Sequence, residues 1–178
     1  MSAIETVSQS IPTGTWKLDP AHSTLEFAVK HMLVTTVKGR FGDFGATLEG
    51  GDEPRLTGTI RTASIDTFNE DRDNHLRSPE LFDSERYPEA RIEAIRFDGD
   101  SLVAAVTLKG VTREIEFATS IAGPAQDPWG NERIGLDLEG GIDRTEFGVS
   151  WNAPLPGGGF LVDDTVQLFA SLSFVKEA

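Results

Sequence analysis

The sequence predicts an all-β fold, an antiparallel barrel, because apolar side chains recur at every second position along much of the chain. Between Thr165 and Val175 the even-numbered positions are apolar, and polar residues separate most of them, with Phe169 as the exception. The same alternation runs over 102–108 and 115–121, and Lys109 to Thr112 between these two runs is typical of a hairpin turn. A period of two is the mark of half-buried strands.

Further alternating segments bring the predicted total to eight or nine strands. They are Thr24 to Val29, a glycine-punctuated strand from Val37 to Leu48, a strand from Leu56, one near Ile92 with a bulge at Ala94, Ile134 to Leu138, and Phe147 to Trp151. A phase change in the alternation predicts the bulge.

One segment departs from the pattern, and we predict a short helical insertion around residues 69–78. Asn69 is a suitable N-cap, and Pro79 marks the end of the helix. Asp73 and Arg77 stand four residues apart in the order that favours an ion pair.

Closing the sheet into a barrel would remove the exposed edges that so many antiparallel strands create. An eight-stranded barrel is just wide enough either to be filled by side chains or to hold one small ligand. The periodicity alone does not separate a barrel from a sandwich.

Composition narrows the function classes. The 178 residues suit one domain, and the lack of cysteine excludes disulfides, cysteine-based zinc sites and thiol catalysis. A formal net charge of −13 disfavours binding to nucleic acid and electrostatic docking on anionic membranes.

The chain termini and hydropathy predict a cytoplasmic protein without an integral membrane segment. Residues 1–10 lack a basic region followed by an apolar run, as a secretory signal would have. No stretch approaches the ~18 consecutive apolar residues of a membrane span. We expect a flexible segment over residues 1–13 and a single barrel domain over 14–178.

Several segments, in order along nearly the whole chain, resemble the YceI-like family of polyisoprenoid-binding proteins. The opening GTWKLDPAHS, Gly14 to Ser23, is similar to the family's W-x-(hydrophobic)-D-x-x-H-S start. The other similar segments are Phe27 to Met32, Lys38 to Phe41, Ser64 to Thr67, Arg72 to Ser78, Phe82 to Asp83, Tyr87 to Pro88, Leu108 to Thr112 and Asp143 to Gly148. Glu146 stands where the family often has Asp.

The resemblance implies an eight-stranded antiparallel lipocalin-like β-barrel around an elongated apolar cavity. It also implies a bound polyisoprenoid, isoprenoid quinone or fatty-acid-like lipid, no cofactor and no catalysis. Twelve residues are predicted to line the lumen: Leu25, Phe27, Val29, Phe41, Ile60, Leu102, Val106, Leu108, Ile115, Phe117, Leu168 and Leu172. The alternative is that these side chains fill the barrel by packing against one another.

Four polar residues are candidates for the mouth of the lumen, namely His22, His31, His75 and Arg144. Arg144 could meet a ligand headgroup or pair with a carboxylate and pin a strand. His22 and Ser23 point to opposite faces of a strand and do not form a nucleophile–base pair. Asp71 and His75 share a helix face but lack further ligands, so no metal site is predicted.

Two other functions remain open at this point. An enzyme acting on an isoprenoid lipid would place titratable groups, such as histidine and aspartate, together on the lumen wall. A packed-core interaction module, for example a homodimer, would have no lumen and an exposed apolar patch.

Overall fold

The computed structural model describes residues 11–178 as eleven strand segments and one α-helix. The helix, α1, spans Glu70–Arg77, and short 3-10 helices occupy Pro20–His22, Thr62–Ser64 and Arg144–Phe147. The strands are β1 (Gly14–Leu18), β2 (Thr24–His31), β3 (Thr35–Phe41), β4 (Phe44–Gly50), β5 (Arg55–Arg61), β6 (Ile65–Asp66), β7 (Glu89–Asp98), β8 (Ser101–Leu108), β9 (Val111–Gln126), β10 (Glu132–Asp143) and β11 (Val162–Lys176).

These segments form an eight-stranded closed antiparallel barrel, as predicted. Eleven segments make eight strands because three strands are interrupted: β1 continues into β2, β3 into β4, and β5 into β6. Both halves of the first strand pair with β11, where Leu18 lies opposite Phe174 and Thr24 lies opposite Ser171. The pairing between β1 and β11 closes the barrel.

Two local predictions about the strands are confirmed. The register between β7 and β8 shifts between Ala94 and Arg96, which is the predicted bulge. Leu108 pairs with Val111, so the β8–β9 hairpin turns on Lys109 and Gly110. Both turn residues have positive φ, 52° and 77°, as tight hairpin turns that match the strand twist require.

One predicted strand is interrupted, and another is wrong. The Val37–Leu48 segment breaks at Gly42 and Asp43, because the Gly42 amide donates to the Ser64 carbonyl and so leaves the sheet ladder. The segment Phe147 to Trp151 contains no strand. Instead, the Asp143 carboxylate accepts from the Thr145 amide and starts a short 3-10 helix there.

Helix α1 begins as predicted, since the Asn69 side chain accepts from the Arg72 amide at 3.0 Å. The predicted ion pair between Asp73 and Arg77 is wrong. The buried Asp73 carboxylate accepts from the Thr67 amide and hydroxyl, and the Arg77 guanidinium reaches backbone carbonyls instead. Tertiary contacts thus outcompete the pairing along the helix.

One end of the barrel is closed by large buried side chains. Trp16 lies at this end with no exposed surface, and its indole Nε1 donates to the Pro12 carbonyl at 3.1 Å. The other fully buried side chains at this end are Leu48, Leu56, Leu102, Ile134, Leu136 and Phe174. The C-terminal end of β11 lies at this closed end, where it pairs with β1. Helix α1 follows β6, which leads to the other end of the barrel, so the helix lies at the open end.

Packing begins before the predicted domain start at residue 14. Ile11 is 2% exposed, and its carbonyl accepts from the Gly51 amide at 3.0 Å. Residues 1–10 of the predicted flexible segment lie outside the described residues. Within residues 11–178, no helix is long and apolar enough to cross a bilayer.

Candidate functional site

A cavity of about 560 Å³ occupies the open half of the barrel. This volume is in the range of natural small-molecule sites, roughly 300–1,000 Å³. A smaller cavity of about 90 Å³ lies beyond it towards the closed end, and Leu25, Ile60 and Leu168 line both. The barrel interior is therefore an open lumen over part of its length and a packed core over the rest.

Eight of the twelve predicted lumen residues line the large cavity: Leu25, Phe27, Val29, Phe41, Ile60, Val106, Leu108 and Leu168. Phe117 and Leu172 line only the small cavity. Leu102 and Ile115 line neither, because Leu102 is fully buried at the closed end and Ile115 packs against the core. Alternation predicts which way a side chain points but not its depth along the barrel.

The predicted lumen set omits part of the apolar lining. Val37, Ala90, Ile142 and Val166 continue the inward faces of strands, so the same period could have found them. Leu76, Leu81, Phe82, Val149, Trp151 and Leu161 come from α1 and from loops, where a period of two carries no signal.

Aromatic side chains connect the wall of the cavity to its cover. The ring centroids of Phe27 and Phe41 lie 5.7 Å apart, and those of Phe41 and Phe82 lie 6.0 Å apart, edge to face. Gly39 lies opposite Phe27 on the neighbouring strand, where any side chain would collide with the Phe27 ring. Glycine at that position therefore gives the ring its place in the wall.

Polar side chains gather at the open end. His31, Asp71, Arg72, His75 and Arg144 all line the mouth, which places three of the four predicted mouth residues there. The His75 Nε2 lies 2.6 Å from a Glu80 carboxylate oxygen, and its ring packs edge to face on Trp151 at 4.6 Å. Arg72 donates to the hydroxyl and the carbonyl of Thr67.

Arg144 holds the mouth together through the backbone. Its guanidinium donates to the carbonyls of Val149 (2.6 Å), Trp151 (3.0 Å), Val162 (3.3 Å) and Asp163 (2.9 Å). The side chain is 8% exposed, and burial lowers the pKa of the guanidinium below its ordinary value. Of the two roles predicted for Arg144, pinning a strand agrees with these contacts better than meeting a ligand headgroup does. The acceptors, however, are mainly backbone carbonyls instead of a carboxylate.

His22 does not belong to the mouth, and its predicted position there is wrong. It follows β1 near the closed end, and its Nδ1 lies 2.7 Å from an Asp19 carboxylate oxygen. The same carboxylate accepts from Arg133 at 2.8 Å, and Arg133 also donates to Asp127 at 2.9 Å. These contacts, foremost those with Arg133, lower the pKa of Asp19 and that of Asp127 to about 2.

The lowered pKa values of Asp19 and Asp127 predict a specific acid sensitivity. Both carboxyls have an ordinary pKa of 3.8, so their ion pairs stabilise the fold above that pH. The stabilisation is lost as pH falls towards 2, because protons then bind the unfolded chain more readily. We expect the Arg133→Gln variant to be less stable at neutral pH and to show a shallower loss of unfolding free energy from about pH 4 to pH 2.

Urea denaturation at a series of pH values measures this effect. Arg96→Gln is the matched control, because the Arg96–Asp98 ion pair is 64% exposed at both side chains and contributes little. Equal pH slopes for Arg133→Gln and the unmodified protein would contradict the prediction.

The lumen is lined mainly by apolar side chains. The small cavity's one titratable lining residue in the described chain, Arg91, has a side chain that is 72% exposed at the surface. Over residues 11–178, no group of three or more His, Asp or Glu side chains is placed to hold a metal ion. Ser23 donates its hydroxyl to the Asp19 carbonyl and accepts from the Ser173 amide, so it has a structural role.

Solved structures share this architecture. The BcnA protein of Burkholderia cenocepacia superposes with a TM-score of 0.74 at 21% identity, covering 88% of this chain and 98% of that one. A polyisoprenoid binding domain from Saccharophagus degradans, implicated in plant cell wall breakdown, superposes with a TM-score of 0.72 at 16% identity, covering 91% and 98%. At these identities the likeness shows the fold.

Sequence comparison shows the family. A UPF0312 protein of Staphylococcus aureus is 35% identical over 161 residues, covering 88% of this chain and 94% of its relative. The family model described as the YceI-like domain matches residues 16–174. The chain therefore belongs to the YceI-like family, as the resemblance of its segments implied.

Proposed function

We propose that this protein binds one long apolar amphiphile, an isoprenoid lipid, and shields its tail in the lumen for storage or transport. The observation that carries the proposal is a large cavity with apolar walls, closed at one end by Trp16 and open at the other. The eight lumen side chains that line the large cavity would contact the tail. The polar head would lie at the mouth, near His31, Asp71 and Arg72.

The energetics of such a site suit a tail without a charged anchor. Burying hydrocarbon contributes about 0.8 kcal/mol per CH₂ group, or roughly 3–4 kcal/mol for each five-carbon isoprene unit. A few units outweigh the ~4–15 kcal/mol that association costs. Affinity would then depend on how much of the lumen the tail fills.

The Saccharophagus degradans domain, which has the same fold, is a polyisoprenoid binding domain, and this supports an isoprenoid as the cargo. An acyl chain of similar width would meet the same apolar walls. We propose binding without catalysis because the titratable side chains gather at the mouth, and three of them are already engaged. Arg72 and Arg144 bond backbone carbonyls, and His75 contacts Glu80.

The experiment is displacement of the neutral fluorescent probe N-phenyl-1-naphthylamine by geraniol, farnesol and geranylgeraniol. We expect each added isoprene unit to strengthen binding by about tenfold until the lumen is full. Ligands of this size realise only about 0.3 kcal/mol of binding free energy per added carbon, well below the gross burial figure. Dodecanol provides the comparison with an unbranched chain. Failure of all these alcohols to displace the probe, or equal affinities for the three isoprenoids, would contradict the proposal.

A further inference from the structure

Large apolar side chains are exposed mainly at the open end of the barrel. Of the eight in the described chain, five belong to three segments at this end. We call these five the apolar rim: Met32, Leu33, Val34, Phe68 and Phe160, exposed by 48, 71, 79, 73 and 61%. The other three, Ile95, Trp129 and Phe169, lie on separate strands or turns away from the rim. A concentration of this kind marks an interaction surface.

The apolar rim lies along one side of the entrance to the cavity, at the ends of the neighbouring strands β11, β2, β3 and β6. The Met32 amide donates to the Leu161 carbonyl at 2.7 Å, and Leu161 and His31 both line the cavity. Phe160 precedes Leu161 in the chain. Phe68 stands between Thr67 and Asn69, which also line the cavity, and it follows β6, the neighbour of β3 in the sheet. A surface that contacts the rim therefore lies directly beside the lumen entrance.

The backbone holds rim side chains outward in a conformation that costs free energy. Met32, Leu33 and Phe68 have φ values of 56°, 61° and 63°, in the left-handed region that bulky residues avoid. Such strain concentrates at functional sites. The Arg40 guanidinium lies 5.4 Å from the centre of the Phe68 ring, so a cation stands behind this exposed side chain.

We propose that the apolar rim inserts into the surface of an uncharged, zwitterionic lipid bilayer, so that cargo passes between the bilayer and the lumen without crossing water. The inference rests on the proposed function, because a water-insoluble amphiphile must be collected from and returned to a lipid phase. A bilayer surface also accommodates apolar tips from three separate loops without matching their shape.

The negative charge of the protein determines which kind of bilayer it is expected to bind. The chain carries a formal net charge of −13, and the first turn of α1 places Glu70 and Asp71 at the open end. These charges repel anionic headgroups. Docking therefore depends on apolar insertion, and phosphatidylcholine vesicles are the expected target in preference to vesicles rich in phosphatidylglycerol.

Vesicle flotation of the full chain tests the proposal. We expect the protein to float with phosphatidylcholine vesicles, and the substitutions Leu33→Ser and Phe160→Ser each to weaken partitioning by roughly tenfold, because each removes a large inserted side chain. Trp129→Ser is the matched control, since Trp129 is 82% exposed on the Asp127–Gly130 turn far from the rim. The control should float like the unmodified protein.

Farnesol displacement on the same samples separates this proposal from the proposed function. Rim variants should bind farnesol unchanged, because Leu33 and Phe160 do not line the cavity. A protein that binds farnesol but does not float would overturn rim insertion alone. Flotation without farnesol binding would instead overturn the proposed function.

Sedimentation velocity tests the alternative that a second copy of this chain binds to the apolar rim. We expect Leu33→Ser to leave the sedimentation coefficient unchanged. Conversion of a dimer to a monomer by Leu33→Ser, with no loss of flotation, would assign the rim to self-association and overturn the proposal.

Discussion

Replacing Phe27 by aspartate is expected to weaken farnesol binding by at least about 100-fold. The Phe27 ring lies in the cavity wall beside Phe41 and is 9% exposed. A carboxyl group there must be stripped of water or neutralised before a hydrocarbon tail can cover it, which costs about 3 kcal/mol or more. Probe displacement measures the loss directly.

Two further variants make the Phe27→Asp result interpretable. Ile95→Asp adds the same charge at a residue that is 54% exposed on the outside of the barrel, and it should bind farnesol normally. Val37→Asp places the charge at a half-buried cavity residue and covers the case in which Phe27→Asp fails to fold. Normal binding by either folded lumen variant would count against a ligand in the lumen.

Replacing Arg144 by methionine is expected to lower the free energy of unfolding by about 2–4 kcal/mol. The change removes a guanidinium that donates to four backbone carbonyls and leaves those acceptors without their partner. Relief of the desolvation of a buried charge offsets part of this cost. Urea denaturation at neutral pH measures the change.

The Arg144→Lys variant distinguishes the effect of the positive charge on stability from the effect of the guanidinium's shape. Lysine keeps the charge but lacks the planar fork that reaches carbonyls on two segments, so we expect an intermediate loss of stability. A methionine variant as stable as the unmodified protein would show that Arg144 does not hold the segment from Val149 to Asp163 in place.

The strands were predictable from sequence because their side-chain period is set by local geometry. The inward faces of β8, β9 and β11, the bulge near Ala94 and the Asn69 cap of α1 all follow from patterns within a few residues. The eight-stranded lipocalin-like barrel itself was implied by the family resemblance, since alternation does not distinguish a barrel from a sandwich.

The features that could not be predicted depend on contacts between distant segments. Leu102 and Leu108 belong to the same strand and the same face, yet one plugs the closed end and the other lines the lumen. That difference is set by depth along the barrel axis, which a period of two does not report. His22 and His31 were assigned to one mouth for the same reason, although β2 separates them.

The partners of Arg144, unlike its role in pinning a strand, could not be predicted, for a different reason. Its partners are carbonyls contributed by a loop and by β11, and backbone acceptors leave no mark in a sequence. The apolar rim was missed because its residues come from short irregular segments in which exposed and buried apolar residues look alike.

Native mass spectrometry of the full chain, purified without detergent, tests the central claim most directly. We predict a species heavier than the apoprotein by the mass of one lipid, which denaturation releases as an isoprenoid-class molecule and which Phe27→Asp lacks. The bare protein mass alone, unchanged after incubation with polyprenols, isoprenoid quinones and fatty acids, would contradict lipid binding in the lumen.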